Sequence, residues 1–356
     1  MKSIKAIAGV IFLGLVFTGC SVAPQKSASG PVTFTFSQSL WKSVDGGATW
    51  KVQNSGTGKA VTSGVAVLSL VVDPADGNHA YAGLASGGIM ETKDGGTTWS
   101  FINFQSEKVY GLAISPMNGQ TLYASGVWQG TGKLFKTTDD GANWQEIYTS
   151  PSSGPLIVSL IVDKKNPGTL YATTSDNEVL KSVDAGDSWK DIYNASVPVL
   201  KIAEDAGNQN LLYAVTTSGS ILRTRDGGAT FEDLTTKLSK TTNTYGGSGG
   251  AILETDPSVA NRVYLAGTLG LLVSNDAGET WTALPTLNKP QTFPVKALAI
   301  NPQNPREIIC GAVQAMYKST DGGQNWVTSQ FDNKMTLRDI EYNLGNPSEI
   351  YAGFTK

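Results

Sequence analysis

Arginine, histidine and cysteine are scarce in this 356-residue chain. It has five arginines (Arg223, Arg225, Arg262, Arg306 and Arg338), one histidine (His79) and two cysteines (Cys20 and Cys310). No basic cluster stands out and the formal net charge is −3, so the footprint that a phosphate backbone requires is missing and a nucleic-acid partner is excluded. A single histidine leaves no zinc ligand set of the usual kind, and neither a metal nor another cofactor is expected. Ser-His-Asp chemistry would have to pass through His79, which reads as a surface residue at a strand start. No stretch carries the 3.6-residue period of a long amphipathic helix, which excludes a helical bundle.

The amino terminus reads as an address. Lys2 and Lys5 precede an apolar run over residues 6–17, too short for a stable membrane span, which ends in Phe17-Thr18-Gly19-Cys20. That ending resembles a bacterial lipoprotein signal, which implies cleavage after residue 19 and lipidation of Cys20. The family rule for Ser21 after the cysteine implies the outer membrane of a Gram-negative envelope. Loss of Lys2 and Lys5 makes the mature net charge −5. With Cys20 acylated, Cys310 has no partner and no intramolecular disulfide forms. Residues 20–33, rich in Ser, Ala, Pro and Gly, read as a flexible tether, and the domain is expected over residues 34–356.

What the chain has in abundance is one phrase, said seven times. Ser43-Val44-Asp45-Gly46-Gly47-Ala48-Thr49-Trp50 is the first copy, and its pattern starts again at Thr92, Thr137, Ser182, Thr224, Ser274 and Ser319. Intervals of 42 to 50 residues match four short strands per unit, the period of a β-propeller blade. Residues 67–99 show the unit: runs at 67–72, 79–83 and 89–92 punctuated by Asp73-Pro74 and glycine, then the phrase and a fourth strand. The ends hold complementary halves. Residues 339–342 and 350–353 form two strands with no phrase after them, and residues 40–42 begin as a third strand, so one blade is shared and the ring closes with seven. The expected fold is all-β, a single seven-bladed propeller of four-stranded antiparallel blades.

The phrase resembles the Asp-box, or bacterial neuraminidase repeat. Its aspartates (Asp45, Asp94, Asp139, Asp184, Asp226, Asp276 and Asp321) suit acceptors for their own turn's N–H groups, its glycines suit a left-handed backbone, and its closing aromatics suit the wedge between blades. Seven equivalent carboxylates around a ring are too far apart for two-carboxylate glycosidase chemistry, so they read as structural. Across nearly its whole mature length the chain resembles Asp-box propellers, among them photosystem II stability/assembly factors and the sortilin- and xyloglucanase-type propellers. Sialidases share the phrase but use six blades and an arginine triad that this chain lacks.

Function is expected where the repeat breaks. Six of the eight tryptophans belong to the phrase, and Trp41 fills a third-strand core position. Trp128 has no repeat counterpart and lies with Gln129 in what reads as an expanded loop between second and third strands, suited to stacking on a sugar or anchoring a protein. Tyr245 lies in a long Gly/Ser/Thr-rich insertion, residues 235–250, on the same face. The resulting expectation is a monomeric, non-catalytic scaffold, lipid-anchored in the envelope, that binds an envelope protein or glycan. The alternative is a glycan-active enzyme, hydrolase or lyase, with acidic residues converging in the central pocket.

Overall fold

The computed structural model describes residues 34–35, 39–53, 55–57, 65–151, 154–239, 252–267, 270–285, 295–312, 315–331 and 335–355. Cys20 and Tyr245 lie outside them. Seven antiparallel blades follow in chain order. Blade one consists of Val67–Val72, Ala80–Leu84, Ile89–Thr92 and Trp99–Phe101. Blades two to six begin with Lys108–Ser115, Ile157–Val162, Val199–Glu204, Ile252–Thr255 and Ala297–Ile300. Each of these first strands touches the first strand of the next blade, and Thr336–Tyr342 of blade seven touches both Ala297–Ile300 and Val67–Val72. The innermost strands therefore form a closed ring.

Closure uses both ends of the domain. Ile350–Thr355 pairs on one side with Thr336–Tyr342 and on the other with Leu40–Ser43, in the register Leu40↔Gly353 to Ser43↔Ile350. Lys51–Val52 completes the blade. Two pairings among the described residues lie outside the repeat pattern. Ser55–Thr57 adds in parallel to the outer strand of blade one and itself pairs with Phe34–Thr35, so that sheet has six strands and its outer edge is covered.

Burial follows radial position. Second strands are covered on both faces: every residue of Ala80–Leu84, Leu170–Thr174 and Leu212–Thr216 is buried. Fourth strands face solvent, as in Gln145–Thr149 and Lys190–Asn194. Cys310 sits inside Ile308–Ala312 at 3% exposure, where burial pushes its thiol up to about 12, so it packs as a small hydrophobe. The 235–250 insertion begins as a short helix, Thr235–Ser239, rather than as open loop. Asp233 accepts the Thr235 N–H at 2.8 Å, and Leu234 and Leu238, one turn apart, are fully buried.

The phrase folds by hydrogen bonds within its own eight residues. In the first copy the Gly47 N–H donates to Ser43 Oγ at 2.7 Å, Ser43 Oγ donates to Asp45, and Asp45 accepts the Thr49 N–H at 2.8 Å and its hydroxyl at 2.6 Å. The glycine and aspartate bonds recur in the other six copies. Asn143 and Asn325 replace the hydroxyl donor with an amide. The residue between Asp and Gly is also left-handed, with φ +67° at Gly46 and +63° at Asp140. Asp45, Asp184, Asp226 and Asp321 are held down at about 2, chiefly by the side-chain donor four residues on. A lowered carboxylate stabilises the fold above its unfolded value near 4, and that contribution disappears only as pH falls through about 2.

Candidate functional site

The first departure from the repeat is at Trp128. Where an expanded loop was expected, Asn118–Trp128 and Thr131–Thr137 continue pairing to a two-residue hairpin, Trp128↔Thr131, turned by Gln129 and Gly130 at φ +52° and +73°. Asn, Asp or Gly usually supply such turns, but Gln129-Gly130 fills this one, and the extra residues lengthen strands instead of a loop. Trp128 is half-buried and forms a wall of a groove of about 450 Å³ on the flank between blades one and two. Its other aromatic walls are Phe104, Phe135 and Trp144, with Phe104 at 5.2 Å from Phe135 and 4.6 Å from Trp144 between ring centroids. Asn103, Gln105, Asn143 and Glu146, all exposed, supply polar groups around these rings. Gln129 is exposed at the hairpin tip and is not among the lining residues.

The second departure is inside the ring. Lys201, Glu254, Asp339 and Glu341 sit in the innermost strands of blades four, five and seven. Lys201 pairs with Glu254, and their side chains stay 38% and 25% exposed, as expected where charged groups project into a wet channel. Asp339 accepts the Leu70 N–H of blade one at 2.9 Å. Burial, together with the negative charges of Asp339 and Glu254, holds the Glu341 carboxyl well above the usual carboxylate range. Lys201 stays raised because Glu254, Asp339 and Glu341 outweigh its own burial. Nothing in the local spacing of these residues marked them. An acid at Glu254, Asp339 and Glu341 where other inner strands carry Val71, Ser159 or Ala299 was the available signal.

The third departure involves contacts between blades. The residue just before the Ser/Thr of the phrase is cationic in five blades, and its head donates to the backbone carbonyl of the residue that follows the aspartate in the next blade's phrase. Lys42 reaches Gly95 O at 2.7 Å, Lys136 reaches Ala185 O at 3.0 Å and Lys181 reaches Gly227 O at 2.8 Å, while Arg223 bonds Ala277 O and Lys318 bonds Gly46 O. These latches join neighbouring blades alongside packing and other cross-blade bonds such as Asn261 N–H to Asp205. Blade one has Glu91 at this position, and the facing turn of blade two has Asp140 where the other copies have Gly or Ala. His79 lies between them. Expected at the surface, it is only 9% exposed, because the left-handed turn at Asp140 folds over it. Its Nε2 is 2.9 Å from Glu91 Oε1 and 3.5 Å from Asp140 Oδ1, and its Nδ1 is 3.5 Å from Asp73 Oδ2. Burial disfavours the imidazolium, but the Glu91 hydrogen bond and the charges of Asp140, Glu91 and Asp73 outweigh it and raise the pKa above its ordinary value.

This ring of blades has counterparts. Residues 115–342 match the model of the DUF6242 beta propeller domain. The chain belongs to that family. Among curated proteins, this DUF6242 propeller is 25% identical over 205 residues to an oligoxyloglucan-reducing end-specific xyloglucanase of Emericella nidulans, covering 45% of this chain and 25% of that enzyme. It is 29% identical over 191 residues to the xyloglucanase Xgh74A of Acetivibrio thermocellus, covering 43% and 22%. The match thus spans about a quarter of the length of these relatives. Among solved structures it resembles the GH74 xyloglucanase from Xanthomonas campestris, with TM-score 0.65, 16% identity, 83% of this chain and 52% of that one. It also resembles YCF48 bound to D1 peptide, with TM-score 0.62, 17% identity, 84% of this chain and 96% of that one. At these identities the structural likeness shows the fold.

Proposed function

We propose that this DUF6242 propeller is a non-catalytic binding scaffold, held in the cell envelope by a lipid on Cys20, that takes a neutral glycan chain in the Trp128 groove. The lining of that groove is the observation that carries the reading. Indole and phenyl faces beside side-chain amides and a carboxylate suit a sugar, whose rings present C–H faces for stacking and hydroxyls for hydrogen bonding. Lys133 is paired with Glu146 of the lining at 2.6 Å, so its charge is met within the protein. Similarity to xyloglucanases over part of the chain supports a glycan, and the YCF48 likeness supports a non-catalytic use of a single propeller.

Titration of the mature protein with neutral β-linked oligosaccharides, followed by calorimetry, tests this. Saturable binding is expected, and Trp128→Ala is expected to weaken it about tenfold, the equivalent of losing an anchor worth roughly 1.4 kcal/mol. Equal affinity for wild type and variant would remove the groove from the reading, and binding of an envelope protein with no glycan binding would replace the ligand class. The same solutions, assayed for new reducing ends, address the second reading. That reading, a glycan-active enzyme, rests on the carboxylates of Glu254, Asp339 and Glu341 in the channel. The Glu254 ion pair with Lys201 counts against it, since that carboxylate is already engaged.

Anchoring is tested separately. Cys20→Ala is expected to move the protein from the membrane fraction to the soluble fraction, and unchanged membrane association would exclude lipidation at this position.

A further inference from the structure

The junction between blades one and two has lost its latch twice over, once on each side. Glu91 stands where five of the other six blades have a lysine or arginine that reaches across, and Asp140 stands where the accepting turn is otherwise Gly or Ala. Two carboxylates facing each other across a blade interface repel, yet here they converge on the chain's one histidine. His79 Nε2, Glu91 Oε1 and an Asp140 oxygen all lie within 4.8 Å of one another. A tetrahedral zinc ion with bonds of about 2.0–2.1 Å places its ligand atoms about 3.3 Å apart. The observed 2.9 and 3.5 Å from Nε2 to the two oxygens bracket that spacing.

A second feature of metal-binding histidines is also present. Their other ring nitrogen is held by a carboxylate or carbonyl, which fixes the ring and its tautomer. Asp73 lies at 3.5 Å from His79 Nδ1, and its own Oδ1 is anchored by the Ala75 N–H at 2.8 Å. Tyr81 donates to Asp140 Oδ1 at 2.5 Å, and its ring packs against the imidazole with centroids 4.7 Å apart. The imidazole is thus oriented from two sides, while Nε2 points at the carboxylates. Neutralising them at present is Lys93, whose ammonium is 2.5 Å from Asp140 Oδ2 and 3.2 Å from Glu91 Oε1. Its side chain is 58% exposed, so it can swing into solvent with little loss.

We propose that His79, Glu91 and Asp140 are the ligands of a divalent transition cation of the zinc type, with Asp73 orienting the histidine and Lys93 as the ammonium the cation displaces. Two carboxylates and one neutral imidazole give a charge-balanced site for a 2+ ion, and its fourth position opens where Lys93 now lies. Such an ion would tie blade two to blade one and serve in place of the missing cation-to-carbonyl latch.

The test uses the mature full chain, stripped with chelator and titrated with zinc chloride by calorimetry and by thermal melting. One equivalent is expected to bind and to raise the melting temperature, while magnesium, which prefers oxygen ligands, is expected to do neither. Lys93→Met removes the competing charge at an exposed position and is expected to tighten zinc binding by about tenfold. Asp73→Asn is expected to weaken it about ten- to a hundredfold, as loss of such an orienting group does, and His79→Ala is expected to abolish it. Absence of saturable zinc binding in both wild type and Lys93→Met would overturn the proposal. Equal uptake by His79→Ala would overturn it as well, by placing the ion elsewhere.

Discussion

Removal of residues 337–356 is expected to abolish the cooperative unfolding transition of this propeller. The cut takes away Ile350–Thr355 and most of Thr336–Tyr342, the two inner strands of the shared blade. Leu337, Ile340, Tyr342, Ile350, Tyr351, Ala352 and Phe354 go with them, all of them buried at 4% exposure or less. Burying a large apolar side chain is worth about 1.5–3 kcal/mol, so losing the six large ones among these is of the same order as the roughly 5–15 kcal/mol by which a whole domain is stable. Leu40–Ser43 then loses its only inward neighbour, and the innermost ring opens at Val67–Val72. Thermal melting followed by circular dichroism reads the result. A truncated protein that melts like the intact one would show that the ring does not depend on its seam.

Trp99→Ala is expected to cost about 3–5 kcal/mol, the range for truncating a buried aromatic in a packed core. The seven closing aromatics of the phrase are equivalent in sequence but not in place. Trp99 is 1% exposed and shares its cluster with Leu40 and Tyr351 of blade seven and with Val67, Leu70 and Met90 of blade one, so it fills the wedge beside the seam. Trp326 is half-buried, and its Nε1 bonds to Gly323 O at 3.1 Å and Pro285 O at 2.6 Å. Its replacement by alanine is expected to cost less. Urea denaturation of the two variants compares them, and a loss below about 1 kcal/mol at Trp99 would contradict the wedge role.

The strand plan of blade one was legible almost to the residue, because Pro, Gly and the phrase punctuate it at fixed offsets. Its second strand runs Ala80–Leu84 and its fourth begins at Trp99, each within a residue of the sequence reading. Trp128 was legible as an exception but not as a hairpin, since a lengthened pair of strands and a lengthened loop use the same polar and glycine residues. His79 was misplaced because a strand start is normally at a surface, whereas here the next blade's turn covers it. The pairing of Phe34–Thr35 with Ser55–Thr57 left no mark in the residues, as it rests on backbone hydrogen bonds.

By itself the sequence determined the seven-blade count, the four strands per blade, the ring closed by its own ends and the internal chemistry of each turn. All of these rest on contacts within one repeat or on the phase of the repeat, and such contacts leave a period in the chain. Only the tertiary structure decided what stands across from what. Glu91 meets Asp140 from 49 residues away, Lys42 meets Glu349 from 307 away, and Lys201 meets Glu254 from 53 away. Those encounters depend on the angle between neighbouring blades and on which side chains the ring turns inward, and where residues depart from the repeat, as at Glu91 and Asp140, no period records whom they meet.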